Sequence, residues 1–74
     1  MTEKMAELHR KAMELPCTPG VYIMYNSKNE IIYIGKSKAL RNRVSQYFSN
    51  TTHNLKTQKM VNSVDRFEYM LTQT

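Results

Sequence analysis

Apolar residues near the start of the chain recur at helical spacing, then give way to two short runs that are almost wholly apolar and aromatic. Met5, Leu8, Ala12 and Leu15 predict an amphipathic helix over residues 2–14, with Thr2 as its N-cap. Pro16 and Thr18-Pro19-Gly20 end it and impose an extended lead-in. Residues 21–25 (VYIMY) and 31–34 (IIYI) are β-branched and aromatic, as strands require, and Asn26-Ser27-Lys28-Asn29 between them is turn material. Neither run alternates cleanly, so both faces of this hairpin are expected to be largely covered. A second helix is predicted from Ser37, its N-cap, to about Phe48, with Leu40, Val44 and Phe48 as the core stripe. Ser49 to His53 reads as loop. Residues 54–64 form a weaker helix on Leu55, Met60, Val61 and Val64, and 66–72 a third strand with Phe67, Tyr69 and Leu71 on one face.

The hairpin brings two tyrosines into relation. Opposed residues of an antiparallel pair have numbers with a constant sum. A four-residue loop over 26–29 sets Tyr25 against Glu30, a sum of 55 that puts Tyr22 opposite Tyr33, on one face with Cβ atoms roughly 5 Å apart. A slip of one residue would separate them. A cross-strand aromatic pair is also ordinary hairpin chemistry, so this pattern by itself leaves both readings open.

The helix that follows adds charge. At about 100° per residue, Lys36, Leu40, Arg43 and Tyr47 fall within roughly a 60° arc when Lys36 is counted in helical phase. Arg43 and Tyr47 then border the apolar stripe. Lys36, Lys38, Arg41 and Arg43 oppose the helix dipole, an arrangement poor for stability but favourable for an anion held by cations and free helix N–H groups. A solvated basic face explains Lys38 and Arg41 adequately, and Lys36 and Arg43 less well.

Composition narrows the partner. Eleven Lys and Arg against six Asp and Glu leave 74 residues with a net charge of +5, which suits a polyanion. The single Cys17 rules out an internal disulfide and a Cys-rich zinc site. His9 and His53 have no carboxylates at ligand spacing, and the six methionines read as core filler. No apolar run approaches the ~20 residues of a membrane span, and the N-terminus lacks a signal-peptide h-region, so a cytoplasmic protein is expected.

Gly20-Val21-Tyr22, ten further residues, Tyr33-Ile34-Gly35, then Lys36 and Arg43 resemble the signature of the GIY-YIG nuclease superfamily. The stretch from Leu15 to Phe48 is most similar to its UvrC branch, from bacterial nucleotide excision repair. Val21 in place of Ile is a conservative departure, and residues 54–72 agree in pattern only. The resemblance implies an α+β domain, a small three-stranded antiparallel sheet flanked by helices, that hydrolyses a DNA phosphodiester with one divalent metal, Mg2+ or Mn2+. By position it implies Tyr33 as general base, Tyr22 as its hydrogen-bonding companion, Lys36 and Arg43 as cations near base and phosphate, and Tyr47 as a further active-site tyrosine. Lys38 and Arg41 are the expected DNA-binding cations. Double-stranded damaged DNA, incised 3′ to the lesion, and UvrB, met through regions outside this chain, are the implied partners.

Elementary chemistry is consistent with those roles. A phenol with a pKa near ~10 needs nearby positive charge, such as Lys36, to act as a base at neutral pH. The Arg43 fork suits two phosphate oxygens. One component is missing: the family's metal-holding glutamate follows the third strand, and neither Glu30 nor Glu68 matches its position. The chain is therefore expected to be truncated, with that ligand beyond Thr74 and nicking by these residues alone absent. Two alternatives stay open, a catalytically inert basic nucleic-acid-binding module of the same fold and another GIY-YIG repair nuclease.

Overall fold

Thr2 caps the first helix as its position suggests. Its side chain accepts from the Met5 amide at 3.1 Å, and α1 runs Glu3–Met13. A computed structural model describes residues 2–49 and 53–73; the part of the expected loop at 50–52, and Thr74, lie outside them. After α1 come β1 (Gly20–Tyr25), β2 (Ile31–Ser37), α2 (Leu40–Tyr47), α3 (Leu55–Ser63) and β3 (Arg66–Leu71). The sheet is antiparallel in the order β2-β1-β3, so the α+β class holds and the central strand is the first one made.

One face of the sheet is packed and the other is open. Tyr22 and Met24 of β1 point into a core completed by Leu8 and Ala12 of α1, Leu40, Val44 and Phe48 from α2 and its C-cap, and Val61 of α3. Phe48 also stacks on Phe67 of β3, ring centroids 5.8 Å apart. The opposite face carries Ile34 and Met70, 57% and 60% exposed, so the expectation that both hairpin faces are covered is wrong. All three helices lie on one side, and the uninterrupted apolar runs reflect β propensity more than burial. Leu55, 74% exposed, likewise falls outside the apolar side of α3, and Met13 and Met70 are surface residues, not core filler.

The hairpin register differs from the sequence-derived one by two residues. The turn spans five residues, not four: Asn26 N–H donates to Glu30 O, Asn29 N–H donates to Asn26 O, and Asn29 adopts a left-handed φ of 66°. The Asn26 side-chain oxygen accepts from the Lys28 and Glu30 amides, which fixes this longer loop. A β-bulge after Met24 completes the adjustment. Tyr22 therefore pairs with Gly35, and Tyr33 with Met24. A shift of two keeps the parity, so Tyr22 and Tyr33 still share a face.

Strand β2 runs on to Ser37, which displaces the predicted helix start. Ser37 does not cap α2; its hydroxyl accepts from the Ala39 amide at 3.0 Å and donates to the Ala39 carbonyl at 3.1 Å, turning the chain between strand and helix. Ala39 is the N-cap and offers no side-chain bond.

Candidate active site

Three phenols meet beside the hairpin. Tyr22 sits on β1, Tyr33 on β2 and Tyr47 at the end of α2, with ring centroids 6.0 Å (Tyr22–Tyr33), 5.8 Å (Tyr22–Tyr47) and 6.3 Å (Tyr33–Tyr47) apart. The diagonal pairing of Tyr22 with Tyr33 across β1 and β2 is possible because the residue directly opposite Tyr22 is Gly35. A side chain there would stand 2.9 Å from Tyr22 Cε2 and closer still to its Cζ and hydroxyl. Gly20 is constrained in the same way, since an added Cβ would lie 2.6 Å from the Met70 carbonyl and 3.0 Å from Leu40 Cγ. The two glycines of the motif are thus the space occupied by a phenol and by the α2 core stripe.

The three phenols differ in environment. Tyr22 is 2% exposed and Tyr33 41%. The Tyr22 and Tyr47 hydroxyls are 2.9 Å apart. Burial, foremost, holds Tyr22 in its neutral form, pushing its pKa well above the ordinary phenol value, and the hydrogen bond to Tyr47 adds to this. Burial also raises Tyr47, whereas its bond with Tyr22 lowers it. Either hydroxyl can be the donor in this bond. The neighbouring Tyr33 phenol acts on Tyr47 in the sense that keeps Tyr47 protonated.

Arg43 belongs to this group and Lys36 does not. The Arg43 charge acts on both Tyr22 and Tyr47, favouring their ionised forms. Lys36 pairs with Val21 in β2, one pleat step from Gly35, so it leaves the sheet on the face opposite the tyrosines. The helical phase that grouped it with Arg43 and Tyr47 does not exist, because residue 36 is strand.

The expected phosphate cradle at the start of α2 is also absent. The Leu40 amide donates to Thr18 O at 3.1 Å and the Arg41 amide to Pro16 O at 3.3 Å, so the lead-in to β1 uses those helix N–H groups. Arg41 Nε donates to Leu15 O at 2.8 Å, tying its guanidinium to the same segment. Lys38 is exposed ahead of the helix. Attraction for an anion here rests on side chains, chiefly Arg43 and Lys38.

Two residues near the site were set aside or passed over by the sequence reading, His53 and Lys56 respectively. His53 Nε2 lies 3.2 Å from the Tyr47 carbonyl, with its ring centroid 6.3 Å from that of Tyr47. Lys56, from the first turn of α3, borders a cleft with Tyr33 and Tyr47. No local pattern marks either residue, because both reach the site only through the packing of α3 on the core.

The described residues do not fit a metal by themselves. They contain no group of three His, Cys, Asp or Glu able to hold one. Glu68 pairs with Ile23 on the open face and accepts from the Tyr25 hydroxyl at 2.8 Å, while Glu30 is in the turn.

Comparison with known proteins identifies the family. A family model described as the UvrC-like GIY-YIG domain matches residues 18–74. The chain belongs to that family. UvrABC system protein C from Caldicellulosiruptor saccharolyticus is 47% identical over 70 residues, and that from Alkaliphilus oremlandii 51% over 71. Each alignment takes in 95% of this chain but only 12% and 11%, respectively, of the relative. The solved GIY-YIG N-terminal endonuclease domain of UvrC from Thermotoga maritima, bound to magnesium as its catalytic divalent cation, superposes with a TM-score of 0.75 at 34% identity. It covers all of this chain and 76% of that one. Three further structures of that domain carry single tyrosine-to-phenylalanine substitutions, each with the divalent cation bound. A UvrC-like GIY-YIG domain is thus what places three phenols and Arg43 together here. Among the described residues no helix is long and apolar enough to cross a membrane.

Proposed function

We propose that this chain is the tyrosine-bearing part of a DNA endonuclease domain acting in nucleotide excision repair, with the incision 3′ to the lesion. The observation that carries the reading is the hydrogen-bonded pair of Tyr22 and Tyr47 behind an open Tyr33, with Arg43 beside them. Tyr33 is the phenol a substrate can reach, and it takes the proton of the attacking water. Tyr22 and Tyr47 stay protonated and hold its orientation. Arg43 engages the scissile phosphate and stabilises the charge that develops on it. Lys36, on the other face, is in this reading a contact to DNA outside the reacting group, as are Lys38 and the exposed edge of α2.

The Thermotoga relative binds magnesium as its catalytic divalent cation; Mg2+ or Mn2+ in this domain would require a carboxylate that the described residues do not bring to the tyrosines. Duplex damaged DNA as substrate, UvrB as partner through other regions, and a cytoplasmic setting belong to the same reading and follow from the likeness to the UvrABC proteins. A catalytically inert DNA-binding module of this fold is the second reading, favoured by the lack, among the described residues, of a carboxylate beside the tyrosines.

The intact protein carrying this domain, assayed for Mg2+- or Mn2+-dependent nicking of damaged duplex, separates the two. Tyr33→Phe is expected to abolish nicking and leave DNA affinity largely unchanged. Full-rate nicking by that variant would remove Tyr33 from the reaction.

A further inference from the structure

The charges of this domain are segregated. Ion pairs engage Glu7 and Glu14 with Arg10 and Lys11 on α1, Asp65 with Lys4, and Glu68 with Arg66. Lys38, Arg43 and Lys56 enter none of these pairs. The hollow of about 520 Å³ between α1 and β3 is lined by two carboxylates, Glu14 and Glu68, against one cation, Lys11, a balance that does not favour a polyanion.

A second hollow, about 350 Å³, opens directly from the tyrosines. It lies between β2 and α3 and is lined by Ile32, Tyr33, Tyr47, Lys56, Thr57 and Met60, with no acidic residue. Its walls offer two phenol rings, two aliphatic side chains, a hydroxyl and one ammonium group. That mixture suits a nucleotide, whose base and sugar pack on aromatic and aliphatic surface while a lysine meets its phosphate. The volume is at the small end of ligand pockets, room for one such unit.

The helix start explains why a lysine stands there. Lys56 follows the N-cap Asn54 by two residues, and the first turn of α3 has no acidic residue, so a cation faces the positive end of the helix dipole. The Asn54 side chain already takes the Thr57 amide at 2.8 Å, so the charge of Lys56, not a free N–H, is what the cleft presents. A bound phosphate would offset that unfavourable placement. The wall is fixed in position by buried Val61 and by His53 against the Tyr47 carbonyl.

We propose that this cleft holds the nucleotide flanking the scissile phosphate on the cut strand, with Lys56 contacting its phosphate. The assignment rests on the nuclease reading above. It is tested by the binding of this chain to a short duplex oligonucleotide across a salt series, comparing Lys56→Gln with Lys59→Gln, an exposed lysine of the same helix that does not line the cleft. Lys56→Gln is expected to weaken binding several-fold and to reduce the slope of log K against log salt by about 0.9, the loss of one phosphate contact. Lys59→Gln should keep the wild-type slope. Equal effects of the two, a wild-type slope for Lys56→Gln, or no salt-dependent binding by the unaltered chain would each overturn the proposal. In the intact protein, a wild-type Lys56→Gln slope with nicking still abolished by Tyr33→Phe would defeat the cleft alone. A reduced slope with full nicking by Tyr33→Phe would instead defeat the catalytic reading, and with it the flanking-nucleotide assignment.

Discussion

Gly35 of β2 and Tyr22 of β1 are directly paired, and the phenol of Tyr22 occupies the volume that any side chain at position 35 would need. Tyr22 is 2% exposed and hydrogen-bonded to Tyr47, so its ring has no free direction in which to move. Gly35→Ala is therefore expected to cost about 1–3 kcal/mol, the usual cost of overpacking a filled core. In urea unfolding, Gly35→Ala combined with Tyr22→Phe should lose less than the sum of the single changes, because one of the colliding atoms has gone. Full additivity would show that the contact does not constrain the fold. Gly20→Ala should be at least as damaging, since one of its obstacles is the Met70 backbone carbonyl.

The buried phenol also predicts a pH dependence. Burial first, and its hydrogen bond with Tyr47 second, raise the pKa of Tyr22 in the fold. An unfolded tyrosine ionises near ~10. The stabilisation from a raised phenol is complete below that value and is lost as pH climbs from it towards the folded pKa, because only the unfolded state releases the proton. Urea midpoints should hold steady up to a pH of about 10 and fall beyond it. Tyr22→Phe should fall less steeply, with Tyr47 supplying part of what remains. Identical alkaline slopes in the two proteins would contradict this.

Arg41 and Lys38, grouped by sequence as DNA contacts, are expected to separate experimentally. Arg41 Nε is committed to the Leu15 carbonyl, and a hydrogen bond from a charged group contributes about 1.5–3 kcal/mol. Arg41→Gln should lower stability by about 1–2 kcal/mol and leave the salt slope of DNA binding unchanged. Lys38→Gln should leave stability within about 0.5 kcal/mol and reduce that slope by about 0.9. If Arg41→Gln instead changes the slope and spares stability, the sequence assignment of Arg41 to DNA is the correct one.

The helices and the hairpin were legible because their signals are local. Thr2 and Asn54 cap their own helices, the Leu40, Val44 and Phe48 stripe is buried as its spacing requires, and Phe67, Tyr69 and Leu71 do share a face of β3. The loop length was not legible, since both Asn26 and Asn29 tolerate turn conformations and only the side-chain bonds of Asn26 choose five residues over four. Lys36 failed for a related reason. Residues 36 and 37 can continue a strand or start a helix, and pairing with Gly20 and Val21 decides for the strand.

The sequence by itself determined the family, the order of elements and the shared face of Tyr22 and Tyr33, because strand parity survives a register shift of two. Tertiary structure alone decided the rest. It turned Lys36 away from the phenols, engaged the first amides of α2 with Thr18 and Pro16, and bound Arg41 to Leu15. It also brought Lys56 and His53 to the rim of the site. Each of these depends on which distant backbone group or side chain wins a hydrogen bond or a packing position, and no local spacing encodes that competition.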